Sequence, residues 1–220
     1  ELKNISKTFN TKKKLRVLKN LSYKFKKGKT YSLMGPSGSG KSTLLNLISL
    51  IDRQTTGSIF FDHSQININD NKKNDIFRAK KIGIIYQQNN LLSDFTALEN
   101  IYLASLSLHN DKKLAVAKAK SLLKLVGLSG RSEHYPSQLS GGESQRVAIA
   151  RAIINDPNVI LADEPTGSLD MDTAKGVFKL LTNQKKSNRL IIFATHNRFF
   201  ANKADYLLEI SNGSIKNTNA

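Results

Sequence analysis

Gly35, Pro36, Ser37, Gly38, Ser39, Gly40, Lys41 and Ser42 fill the pattern G-x-x-x-x-G-K-[ST] without a gap. Residue types at this spacing suit one task, the wrapping of a polyphosphate. The glycines let the backbone pass close to an anion, and successive N–H groups and a helix N-terminus supply fixed positive dipole. Lys41 adds a full charge against the outer phosphates, and Ser42, followed by Thr43, is placed to hold Mg²⁺. The flanks agree, since 30–34 reads as a buried strand and 43–50 as an apolar helix, a context that a chance Gly/Ser turn would lack. A second pair of chemical groups, Asp163 and Glu164, closes the apolar run Val159, Ile160, Leu161, Ala162. Ligands of open α/β sheets bind outside the carboxyl ends of strands. The first carboxylate is therefore expected to steady Mg²⁺ with Ser42, and the second to accept a proton from an attacking water. Alternation along a strand would send these neighbours to opposite faces, so their roles must differ.

The elements that must position these groups are legible in outline. Short apolar or β-branched runs at 2–6, 15–25 and 58–61 suggest a small antiparallel sheet near the N-terminus. Residues 82–86 read as another buried strand. Residues 97–108 and 112–126 have helical apolar spacing, the second ending at Gly127. A helical insert thus occupies about 89–155, and 1–88 with 156–220 form the core. Strands at 159–162, 190–194 and 206–210, separated by helices, are the signature of βαβ crossovers. The expected fold class is α/β, a single nucleotide-binding domain over 1–220 with a mainly parallel sheet, an N-terminal antiparallel β subdomain and an inserted α-helical subdomain. Ser140 and Glu143 form S-x-x-E, a capping box that opens a helix running to about Asn155, whose N-terminus would present N–H groups to an anion.

Leu139, Ser140, Gly141, Gly142 and Glu143, standing between the phosphate loop and the Asp163–Glu164 strand, make the chain resemble the ATP-binding-cassette ATPases over essentially its whole length. The resemblance implies a P-loop ATPase core using ATP and Mg²⁺. It implies that Phe9 stacks on adenine where Tyr is common, that Gln87 serves metal and catalysis, that Asp170 belongs to the nucleotide-binding set and that His196 is catalytic. It also implies that Glu164 and Lys41 carry the hydrolysis. Two subunits then pack head to tail, with Ser140 to Glu143 of one facing the γ-phosphate held by the other. Glu143 stands where Gln is commoner and is expected to fold back onto its own cap, away from phosphate. Ser168 replaces a frequent Asn and Asn197 a frequent Asp, and a weakened contact at Ser168 is the expected cost. Residues 86–101, 134–140 and 165–170 look most like the ATPase subunits of lipoprotein-releasing transporters. Macrolide-export, cell-division and peptide-antibiotic efflux ATPases share much of this pattern.

Composition bounds the partners. The 220 residues carry a net charge of +17, from 34 basic and 17 acidic side chains, and 26 of the basic ones are lysine. These lie in short scattered groups (Lys12 to Lys14, Lys26 and Lys27, Lys72 and Lys73, Lys112 and Lys113) without the aromatic interleaving of a nucleic-acid reader, so no nucleic-acid partner is expected. A solvated or membrane-proximal surface suits them. No run approaches the roughly 18 apolar residues of a membrane span. The opening residues lack the order of a secretory signal and there is no cysteine, so the expected setting is the cytoplasmic face of the cell membrane. Transport would then need a separate permease, which the family engages along residues 87–103, from Gln87 to Leu103. A cassette of DNA repair or translation is disfavoured, since those relatives carry long coiled coils or two cassettes. A cell-division role that moves no solute stays open.

Overall fold

The computed structural model describes residues 1–10 and 14–217, so Lys12 and Lys13 of the first lysine group lie outside the described residues. In chain order the elements are β1 (Leu2–Asn10), β2 (Lys14–Tyr23), β3 (Thr30–Met34), α1 (Lys41–Ile48), β4 (Thr56–Phe61), β5 (Ser64–Gln65), α2 (Asn71–Lys81), β6 (Ile82–Ile85), α3 (Ala97–Leu106), α4 (Lys112–Leu125), α5 (Gly141–Ile153), β7 (Val159–Asp163), α6 (Met171–Thr182), β8 (Leu190–Ala194), α7 (Arg198–Ala201), β9 (Tyr206–Ser211) and β10 (Ser214–Asn217). Two 3₁₀ turns, Ser129–Arg131 and Pro136–Gln138, join α4 to α5.

Strands β3, β7 and β8 are buried along nearly their whole length. Continuous apolar runs of this kind belong to a parallel sheet covered on both faces. They form the centre of a six-stranded sheet ordered β10-β9-β3-β8-β7-β6, parallel throughout except for the β9–β10 hairpin. The expected antiparallel sheet is present as β2-β1-β4-β5. One core lies between the two sheets and α1, around Leu18, Tyr31, Leu44 and Ile59. A second, around Ile160, Phe178, Phe193 and Phe200, packs α6 and α7 on the other face of the larger sheet. The helical insert has a third, in which α3, α4 and α5 meet through Ile101, Ala119, Leu123 and Val147. Helix α5 serves two of these cores, since Ile149 and Ile153 belong to the second while Val147, Ala150 and Ile154 belong to the third.

Three differences from expectation have local causes. Helix α1 begins at Lys41, two residues early, because Gly40 at φ 104° makes the turn from loop to helix inside the motif. There a side chain would press on Val17 and Leu18. Helix α2 has no buried residue and so no apolar period to read. Glu164 does not continue β7. Its φ of 46° turns the chain left-handed, although its N–H still donates to Ala194 O at 3.0 Å.

Candidate functional site

Parallel strands share a direction, so the loops after β3, β6, β7 and β8 all emerge on one edge of the sheet. They deliver Lys41, Gln87, Asp163, Glu164 and His196 to a single cleft of about 400 Å³. That is the scale of a small-molecule site. Ser37, Gly38, Gly40, Ser42 and Thr43 form its floor, and Phe9, Leu15 and Val17 of the antiparallel sheet form an apolar wall. Leu15 and Val17 were not expected from the sequence; the pairing of Phe9 with Leu15 across β1 and β2 sets Leu15 beside the expected aromatic residue. The Lys7 ammonium sits 4.8 Å over the Phe9 ring. Asp163 and Glu164 line the same cleft and do not diverge as strand alternation predicts, because the left-handed turn at Glu164 redirects its side chain. Non-glycine residues held at positive φ cost energy and concentrate at functional sites.

The loop is built for an anion. No side chain caps α1 at Gly40, which leaves the first-turn N–H groups open to the cleft. Lys41 is buried, and its Nζ donates to Gly35 O at 2.9 Å and Pro36 O at 3.1 Å. An ammonium has three donors, so one remains for a ligand. Ser39 Oγ is buried in the loop without a hydrogen-bond partner. Across the cleft, Glu164 Oε2 accepts from the His196 backbone N–H at 3.3 Å, while its buried Oε1 takes no hydrogen bond and lies 3.3 Å from His196 Nε2. Burial pushes the Glu164 pKa up, against the opposing pull of the His196 N–H and of the His196 and Lys41 charges. A carboxyl group so placed is a better proton acceptor than an exposed one. A second cavity of about 510 Å³ continues beyond Gln87, Glu164 and His196 toward Met171 and Asn197. An apolar cavity of about 300 Å³ near Phe25, Phe61 and Phe77 includes none of these residues.

Oxygen donors Ser42, Gln87 and Asp163 suit a hard cation. Among the described residues there is no cluster of three or more His, Cys, Asp or Glu able to hold a metal by itself. This donor set fits Mg²⁺, which is commonly held by one or two carboxylates together with substrate phosphates and water.

Ser140, Gly141, Gly142 and Glu143 stand apart from this cleft, as does Asp170. Ser140 caps α5, its Oγ accepting from Glu143 N at 3.2 Å, and the Glu143 carboxylate folds back so that Oε2 accepts from Ser140 N at 2.9 Å. Asp170 caps α6 through the N–H groups of Asp172 and Thr173. The two helix starts pack closely, and any side chain at Gly142 would collide with Thr173. Sequence reasoning missed Arg131, whose Nε donates to Glu143 Oε1 at 2.9 Å. This guanidinium first, and the Ser140 N–H second, hold the Glu143 pKa down to about 2.

The stretch after Gln87 is organised by two further unforeseen side chains. Arg151 of α5 donates to Asn89 O at 2.6 Å and Asn90 O at 2.7 Å. Buried Asn100 bonds Leu92 N at 2.7 Å and Phe95 O at 2.9 Å, which displays Leu92 (49% exposed) and Phe95 (38% exposed) on a short loop. Among the described residues no helix is long and apolar enough to cross a membrane.

A family model described as ABC transporter matches residues 18–167. The lipoprotein-releasing system ATP-binding protein LolD of Ehrlichia ruminantium (strain Gardel) is 42% identical over 215 residues, 97% of this chain and 94% of that protein. The protein of the same name from Wigglesworthia glossinidia brevipalpis is 44% identical over 221 residues, 99% of this chain and 96% of its own. Among solved structures, the dimeric post-hydrolysis state of the ATP-binding cassette MJ0796 bound to ADP and Pi matches with a TM-score of 0.90 at 35% identity, covering 100% of this chain and 98% of that one.

Proposed function

The chain belongs to the ABC transporter family and is an ATPase of that family, and from this premise we propose that it drives a lipoprotein-releasing permease as one of a head-to-tail pair of subunits. The observation that carries the reading is the division of the machinery. One cleft collects Lys41, Ser42, Gln87, Asp163, Glu164 and His196, while the Ser140–Glu143 helix start lines no part of it. A second copy supplies the phosphate loop that this helix start faces.

In this reading the polyphosphate of ATP lies along the loop from Gly35 to Thr43, against its N–H groups and Lys41, with the base beside Phe9. Ser42, Gln87 and Asp163 would hold Mg²⁺, which when bound would offset phosphate charge. Glu164 takes the proton of the attacking water as that oxygen bonds to the γ-phosphorus and the bond to the β,γ-bridging oxygen breaks, giving ADP and Pi. His196 holds the Glu164 carboxylate through its backbone N–H, with its ring beside Oε1. The full-length likeness to two LolD proteins supports lipoprotein release as the task, and the loop bearing Leu92 and Phe95 is the permease contact. The chain then works at the cytoplasmic face of the membrane without entering it.

The test is purification of the native protein from membranes and identification of what accompanies it. A lipoprotein-releasing permease is expected. Replacing Leu92 and Phe95 together by Asp should abolish its recovery while the thermal unfolding of the chain stays cooperative. Recovery of a permease with another cargo overturns the lipoprotein assignment, and an intact complex with the double variant overturns the docking loop.

A further inference from the structure

We propose that Arg131 is a positioning residue of the Ser140–Glu143 helix start, cancelling the Glu143 charge and fixing its fold-back so that the N-terminus of α5 can accept a phosphate from a second copy. The proposal rests on the head-to-tail reading above. Glu143 sits in the first turn of α5. A carboxylate there satisfies the helix dipole but repels any second anion approaching the same N–H groups. The geometry resolves the conflict. Oε2 is committed to Ser140 N at 2.9 Å and Oε1 to Arg131 Nε at 2.9 Å, so both oxygens point back along the preceding chain. The group stays ionised, its pKa held near 2, and the adjoining guanidinium offsets its charge.

Arg131 is itself held. It ends the 3₁₀ turn Ser129–Arg131, its N–H donates to Leu128 O at 2.9 Å, and its O accepts from His134 N at 3.1 Å. Its Nη1 lies 3.4 Å from His134 Nε2. The side chain is 46% exposed and that of Glu143 21%. An ion pair this open adds little to stability, so its loss changes the field at the helix start more than the fold.

The experiment measures ATP-driven dimerisation by sedimentation velocity in a Glu164→Gln background, where ATP turnover is expected to fall by ~10²–10⁴-fold. Arg131→Ala should weaken the ATP-bound dimer about tenfold, the scale of one charge at a helix terminus in partly buried geometry. The same substitution added to Glu143→Gln should change that variant's dimerisation less than twofold, because no charge is left to cancel. Arg131→Lys should retain most of the dimer. If Arg131→Ala is equally damaging with and without Glu143→Gln, or harmless in both, the proposal fails while the head-to-tail reading stands. If the Glu164→Gln parent stays monomeric with ATP, the head-to-tail reading and this proposal fail together.

Discussion

Glu164 and His196 meet across the cleft at two points, the backbone N–H of His196 on Glu164 Oε2 and the ring Nε2 of His196 beside Oε1, each at 3.3 Å. One carboxylate oxygen is thus held by a hydrogen bond, while the buried Oε1 takes none and keeps its acceptor capacity. Glu164→Gln keeps the shape and removes the proton acceptor. Steady-state ATP turnover should fall by ~10²–10⁴-fold with nucleotide affinity preserved. Near-normal turnover by the purified variant would show that another group takes the proton.

Lys41 is already spending two of its donors on the loop carbonyls of Gly35 and Pro36. It needs no rearrangement to present the third. Lys41→Ala should weaken nucleotide binding and cost the transition state at least ~3 kcal/mol, about two orders of magnitude in rate. Calorimetric titration with ATP and a turnover assay check both parts; unchanged values would remove Lys41 from the site.

Asp205 joins the starts of β3 and β9. Its Oδ2 accepts from Thr30 N at 2.7 Å and Thr30 Oγ1 at 2.8 Å, and Lys185 Nζ reaches both carboxylate oxygens. Partial burial alone would push its pKa up, but the Lys185 and Thr30 bonds outweigh this and bring it down to about 2. A depressed folded-state pKa means stability that is present above the unfolded value near 4 and lost as pH falls toward about 2. Asp205→Asn should cost roughly 1–2 kcal/mol at pH 7, with the partly exposed pair discounted for screening. The gap from wild type should close between about pH 4 and pH 2. Denaturant unfolding at several pH values measures it, and a gap independent of pH would assign the loss to hydrogen bonding alone.

The site was legible where function needs a contiguous motif. The phosphate loop, the Asp163–Glu164 strand and the α5 capping box each announce themselves within eight residues or so, and the parallel sheet follows from buried β-branched runs. Two things escaped. Helix α2 is Asn- and Lys-rich with nothing buried, and only its cap, Asp70 accepting from Lys73 N, marks it. The β9–β10 hairpin turns on Asn212 and Gly213, both at positive φ, an Asn-Gly signal that stood in the sequence unused. The side chains that organise the site from a distance (Arg131, Arg151 and Asn100) were illegible for another reason. Their partners are 12, 61 and 8 residues away or thereabouts, and many of those partners are backbone atoms, which carry no residue code. The direction of Glu164 was missed because strand alternation fails at a left-handed residue.

Helix α5 is shared between two hydrophobic cores, and its far end is pinned where Ala152 O presses so closely on Gly83 of β6 that no side chain would fit between them. That end is an axle. Ser140, at the opposite end, is its longest radius. Thirteen residues at about 1.5 Å each put the cap roughly 20 Å from the pivot, so each degree of tilt swings it by about 0.3 Å. A tilt of about ten degrees would then carry the α5 N-terminus through a whole hydrogen-bond length. The same helix grips the loop after Gln87 through Arg151, one residue from the pivot, where the stroke is shortest. Any displacement of that loop passed to α5 would therefore be largest at Ser140, the end farthest from Gly83.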